Sequence, residues 1–331
     1  MFVDERLFRT PRWYLDPPED AELLLPQELF NGVVLIGQER GDEVKWGGTG
    51  FFVRMDTGPD RWHVYLVTAG HCVAGQKNLR ARIHQADGPP RVVHLPDADS
   101  DRWLRPADIA EGEDRVDLAA IRLPNEDVLD AFAAGHQWIP YSMFFDESLL
   151  GYNPMEGVGL GDEVVAVGCF PFHTGTHKND LIVRIGNLAL VPSEPIEVDY
   201  GNDEVYRMRL YLTELRSIGG LSGSPVFVPH RVGLGAPKRS MSLLGVMIGH
   251  WNDPDRNHVG FGKVVPADLL MKLLEGDAAV AQRKRADKQS DTSEGTAVTD
   301  SATDDEFARF EEMTRRLVNV PKEEIDELRK P

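Results

Sequence analysis

The sequence predicts an all-β protein made of two β units in tandem, and three observations predict it. Short apolar, β-branched runs recur between turns from about residue 31 onward. Gly and Pro, 31 and 22 of the 331 residues, punctuate those runs, and helical composition begins only after Pro266.

In chain order, residues 1–30 form an N-terminal extension. It scatters Asp4, Glu5, Arg6, Arg9 and Arg12 among its apolar residues, so it lacks the continuous apolar stretch of a secretory signal. The first unit spans about 31–123, with strands expected at Val33–Ile36, Gly50–Val53, His63–Thr68, Arg91–Val93 and Leu118–Ile121. Residues 124–160 join it to the second unit, about 160–276. Strands there are expected at Glu163–Val167, Leu181–Val183, Tyr206–Leu212, Pro225–Val228, Leu243–Ile248 and Val259–Val265. Ala267–Leu274 reads as a short helix stopped at Gly276. Residues 277–305 read as a disordered linker, because Lys, Arg, Asp, Ser and Thr dominate and little apolar surface is on offer to order them. In the 306–331 tail, Phe307, Phe310, Met313 and Leu317 recur at three- and four-residue spacing, and Pro321 opens a second short helix. That face is read as docking back on the parent domain, with a protein partner for the tail as the alternative.

A formal net charge of −18 with no basic stripe argues against nucleic acid as a partner. No apolar run reaches membrane-spanning length. Two cysteines, Cys72 and Cys169, are the sparse usage of a reducing compartment, where they behave as free, small apolar residues. The expected location is the cytoplasm, with no membrane association.

Three distant segments each carry one part of a nucleophilic hydrolase. In Val67-Thr68-Ala69-Gly70-His71-Cys72, an apolar strand ends in two small residues that leave an imidazole accessible at the strand end. In Asp114-Arg115-Val116-Asp117-Leu118, a carboxylate precedes an apolar strand, where burial suits it to accept an imidazole N–H. In Gly219-Gly220-Leu221-Ser222-Gly223-Ser224-Pro225, a serine lies in a glycine-rich turn whose amides can converge on one point. Gly220 and Ser222 are the candidate oxyanion donors. Asp114 is the rival acid, but it sits in the polar loop ahead of the strand.

These segments resemble those of the chymotrypsin- and trypsin-like serine peptidases, over about residues 31–276. The order His71, Asp117, Ser222 is that family's order, whereas subtilisin-like enzymes place Asp first and α/β-hydrolases Ser first. The resemblance implies two six-stranded barrels and an endopeptidase acting on protein or peptide substrates without cofactor or metal. It implies His71 as general base, Asp117 as its orienting acid and Ser222 as nucleophile. The alternative is a catalytically silent binding module of the same fold, acting through its C-terminal helices.

The chain departs from the family in three places. Trp46–Phe51 lacks the cysteine that pairs, in many secreted members, with the one after the histidine. Leu221 stands where zymogen-type members carry aspartate, and Ser224 replaces the second glycine of the commonest motif. The resemblance also brings Arg216, six residues before the serine, to the floor of the specificity pocket, where His250 adds to its preference, the alternative being a surface or structural pair for Arg216. Together they imply selection of an acidic residue before the scissile bond. Ser217 and Ser224 read as turn or pocket residues. His173 and His177 read as loop histidines, since Pro171 and Gly175 oppose a helix that would align them on a metal.

Overall fold

The computed structural model describes residues 30–58, 61–83, 89–106, 115–124, 138–147, 150, 157–177, 179–199, 205–215, 218–231, 239–252 and 258–294. The N-terminal extension up to residue 29, Asp114, Arg216, Ser217 and the 306–331 tail lie outside the described residues.

The first unit contains β1 (Val33–Arg40), β2 (Glu43–Gly58), β3 (Arg61–Ala69), β4 (Leu79–Ile83), β5 (Arg91–His94), β6 (Trp103–Leu104), β7 (Leu118–Arg122) and β8 (Ile139–Pro140). They form one eight-stranded sheet in the order β5-β4-β1-β2-β3-β7-β6, with β8 pairing parallel to β2. Six strands closed into a barrel were expected; among the described residues the two ends of this sheet, β5 and β6, do not pair. Both ends are short, four and two residues, which leaves few ladder groups with which to close.

The second unit contains β9 (Glu163–Cys169), β10 (Leu181–Leu190), β11 (Ile196–Asp199), β12 (Val205–Met208), β13 (Tyr211–Thr213), β14 (Pro225–Arg231), β15 (Arg239–Asn252) and β16 (His258–Pro266). Six of them close a barrel in the order β10-β13-β16-β15-β14-β9, as expected, while β11 and β12 form a separate hairpin.

The alternation of strand side chains sorts the core into three layers. On β1, Val34 and Ile36 face the first unit's interior, with Phe52, Leu66, Leu79 and Ile121. On β9, Val164 and Ala166 face the barrel interior, with Leu188, Leu221, Val226 and Met247. Their neighbours Val33, Leu35, Val165 and Val167 point the other way, into one shared core between the units that also takes Phe51, Tyr65, Phe227 and Leu243. This shared core fixes one unit against the other and takes in Ala69 and Leu118, the facing ends of β3 and β7.

After Pro266 the chain forms α1 (Ala267–Glu275), which buries Ala267, Leu270 and Leu274 and stops at Gly276 as the sequence predicts. The next segment corrects the sequence reading: α2 (Asp277–Glu294) occupies most of what the 277–305 linker was expected to cover. Polar composition alone does not imply absence of order there. Ala278, Ala279, Ala281, Gln282, Lys284, Arg285 and Ala286 are all strong helix formers, and Ala279 is buried in the shared core. Both β units belong to one compact body that runs to Val280, and from Ala281 the chain belongs to a separate body.

Candidate active site

The antiparallel pairing of β3 with β7 sets Ala69 opposite Leu118. The residues flanking that pair, Gly70-His71 after β3 and Asp117 before β7, therefore meet at one sheet end. Asp117 is 3% exposed. Its Oδ1 accepts the His71 backbone N–H at 2.7 Å and its Oδ2 lies 2.7 Å from His71 Nδ1. One carboxylate thus fixes both the main chain and the ring of the histidine. The approach is close enough that a Cβ on Gly70 would stand 2.8 Å from Asp117 Oδ1.

Burial of the imidazole opposes its protonation, but the hydrogen bond to Asp117, aided by the neighbouring Cys72 side chain and by the charge on Asp117, outweighs it. The His71 pKa is raised from 6.5 to about 10. A half-buried cation, Lys263 on β16, lies within electrostatic reach of Asp117, and burial lowers its own pKa.

Ser222 sits in the turn that leads into β14. Leu221 N–H donates to Ile218 O (3.2 Å), Gly223 N–H to Met247 O (2.7 Å) and Ser224 N–H to Leu221 O (3.0 Å). Between these satisfied donors, the N–H groups of Gly220 and Ser222 have no acceptor among the described residues. Gly220 has φ +99°, the value that the third position of a type II turn requires. Gly223 has φ +90°, and a Cβ there would fall 1.9 Å from Thr49 O, so no side chain fits. Leu221, at the position where an aspartate would mark a zymogen, is fully buried in the barrel core and anchors the turn by packing.

A residue that the sequence reading did not single out ties this turn to the first unit. Thr49 on β2 donates its N–H to Ser222 O (2.8 Å) and its hydroxyl to Gly220 O (2.7 Å). The same hydroxyl accepts Cys169 N–H (3.0 Å), and Thr49 O accepts the Thr68 hydroxyl (2.7 Å). Cys72 adds a thiol contact to Ser222 O at 3.7 Å. The position of Thr49 within Gly47-Gly48-Thr49-Gly50 signals a close approach but not its target.

The predicted site residues therefore divide. His71 and Asp117 are joined directly, and the Ser222 main chain is bonded to Thr49 and Cys72, next to His71. No hydrogen bond joins Ser222 Oγ to His71 among the described residues, as is common before substrate binds. His250 lies on β15 opposite Gly262, half-buried. Ser224 is fully buried. His173 Nε2 pairs with Asp180 Oδ2 at 3.3 Å. Cys72 and Cys169 are free thiols, and burial pushes that of Cys169 far up. Among the described residues no group of three metal-ligating side chains comes together, and no helix is long and apolar enough to cross a membrane.

No family model and no curated protein sequence matches this chain. Solved structures of similar chain course include proteases. The MamO protease domain from Magnetospirillum magneticum is 15% identical with a TM-score of 0.45, covering 76% of this chain and 100% of that one. The serine endoprotease from Yersinia pestis is 16% identical with a TM-score of 0.44, covering 78% and 68%. The active form of Rv3671c protease from M. tuberculosis is 19% identical with a TM-score of 0.38, covering 74% and 80%.

Proposed function

We propose that this chain is a serine endopeptidase that hydrolyses peptide bonds through an acyl-enzyme on Ser222. The observation that carries the proposal is the buried Asp117 carboxylate bonded to His71 Nδ1, beside a turn whose Gly220 and Ser222 amides lack acceptors.

With Nδ1 held by Asp117, Nε2 is left to take the Ser222 proton as Oγ attacks the scissile carbonyl. Charge developing on the carbonyl oxygen is met by the Gly220 and Ser222 N–H groups, each such donor being worth about 2.7–4 kcal/mol. Collapse breaks the C–N bond and passes the proton from His71 to the departing amine. Water then attacks the ester, losing a proton to His71, which returns it to Ser222. Asp117 orients and stabilises the imidazolium throughout, and these steps need neither metal nor organic cofactor. The two free thiols fit action in the cytoplasm.

We further propose that Arg216, with His250, selects an acidic residue before the scissile bond. Internally quenched peptides varied at that position test both claims. The wild type is expected to cleave, faster after Glu than after Ala, and Ser222→Ala to lower turnover by about 10⁶-fold with its thermal midpoint kept. Retained proteolysis in Ser222→Ala would reject the nucleophile, and equal rates after Glu and Ala would reject the selection.

A further inference from the structure

A cavity of about 220 Å³ opens beside the His71 ring, and every residue lining it belongs to the first unit. Its polar lining is Gln38 and Arg40 from β1, Lys45 from β2, and His71, Cys72 and Gln76 from the turn after β3. It therefore holds two cations and two carboxamides, and no carboxylate lines it. The β1–β2 register puts Gln38 opposite Lys45 and Arg40 opposite Glu43, so Gln38, Arg40, Glu43 and Lys45 share one face of the ribbon, and of these all but Glu43 line the cavity. Arg40 Nε donates to Gln38 Oε1 at 2.8 Å, which steadies the guanidinium. Lys45 has no ion-pair partner among the described residues. Of the nearby acids, Glu39 is bonded to Arg80, Glu43 lies across from Arg40, and Asp42 sits in the hairpin turn.

We infer that this cavity is a subsite for an acidic side chain on the leaving-group side of the scissile bond, with Lys45 as its principal cation and Arg40 as its second. The inference rests on the peptidase reading above. In that reaction the Gly220 and Ser222 amides hold the acyl carbonyl against the second unit. The amine that leaves takes its proton from His71, so the chain beyond it runs past the imidazole and over the first unit. An extended chain advances about 3.3–3.6 Å per residue, which brings the first or second residue after the cut to the cavity. A carboxylate arriving there meets Lys45 and Arg40 as charge partners and the Gln76 amide as a hydrogen-bond donor, while Gln38, whose Nε2 donates to Lys77 O at 3.1 Å, has its second N–H to offer. The local cations matter more because the chain as a whole carries −18 and repels acidic peptides at longer range. This preference is separate from the one assigned to Arg216, which acts on the other side of the cut.

The test uses quenched peptides with one fixed acyl side and Glu, Gln or Lys at each of the first two positions after the cut. For the wild type we expect kcat/KM for Glu to exceed that for Gln by about tenfold at one of the two positions, with the excess shrinking as salt is added. Lys45→Glu is expected to invert the order so that Lys exceeds Glu, and Lys45→Met to abolish the discrimination without inverting it. Equal wild-type rates for the three peptides, or a Glu preference unaltered in Lys45→Glu, would overturn the subsite and leave the peptidase reading standing. Absence of cleavage of every peptide by the wild type would remove the peptidase reading, and the subsite with it.

Discussion

Asp117 carries the greatest constraint of any single residue in the site, because its two oxygens serve different parts of His71 at 2.7 Å each. The raised pKa of His71 has a direct consequence for rate. In the general-base role proposed for it His71 must be neutral, so kcat/KM should climb with pH and inflect above 6.5, toward about 10. The sign for stability runs the other way. The imidazolium contacts contribute fully below pH 6.5 and are lost as pH rises through about 10. Since the Cys72 side chain is one of the contacts raising the pKa, Cys72→Ala should move the inflection downward while hydrolysis persists. A pH–rate profile of both proteins checks this, and an inflection at or below 6.5 in the wild type would contradict it. Thr49 belongs to the same scale, since its hydroxyl and amide hold the carbonyls of Gly220 and Ser222 and so aim the two free N–H groups between them.

At the scale of elements, the segment from Phe170 to Asp180 between β9 and β10 links the two units. Arg82 on β4, 8% exposed, donates from its guanidinium to Thr174 O, to Gly175 O at 2.6 Å and to Asn179 Oδ1 at 2.7 Å. The Asn179 amide returns a bond to Arg82 O at 2.8 Å. Pro171 in the same segment stands against Gly220, where a Cβ would be 2.2 Å from the proline ring. Arg82→Met removes every one of these donors while keeping much of the packing volume. It should cost about 1–3 kcal/mol, because the buried Asn179 Oδ1 is left without its donor, whereas the part-buried Thr174 and Gly175 carbonyls can turn to water. It should also lower kcat more than it raises KM, since the turn proposed to hold the oxyanion loses its support from Pro171. Chemical denaturation and steady-state kinetics test the two parts. A variant with wild-type midpoint and kcat would contradict the role given to this segment.

Across the whole molecule, what could be read from the sequence was whatever has a short-range signature. The β9, β14 and β16 strands appear as apolar runs, α1 is bracketed by Pro266 and Gly276, and Ser222 is announced by the glycines that its turn requires. His71 and Asp117 were legible for a similar reason, since each adjoins a buried strand end. Thr49 and Arg82 were not legible, because their partners lie far along the chain and nothing in a threonine after two glycines or an arginine in a strand names Gly220 or Thr174. The separation of α2 from a linker failed on composition. A polar segment of good helix formers looks the same whether or not an alanine such as Ala279 finds a core to enter. The open first sheet likewise depends on which strand ends meet, a property of packing at distance.

The central claim is that the two units bring together an activated serine, and fluorophosphonate labelling read by peptide mass mapping tests it most directly. A single adduct on Ser222, lost in His71→Ala and in Ser222→Ala, is the result this account predicts. An unlabelled wild-type protein, or an adduct on another residue that survives His71→Ala, would contradict it.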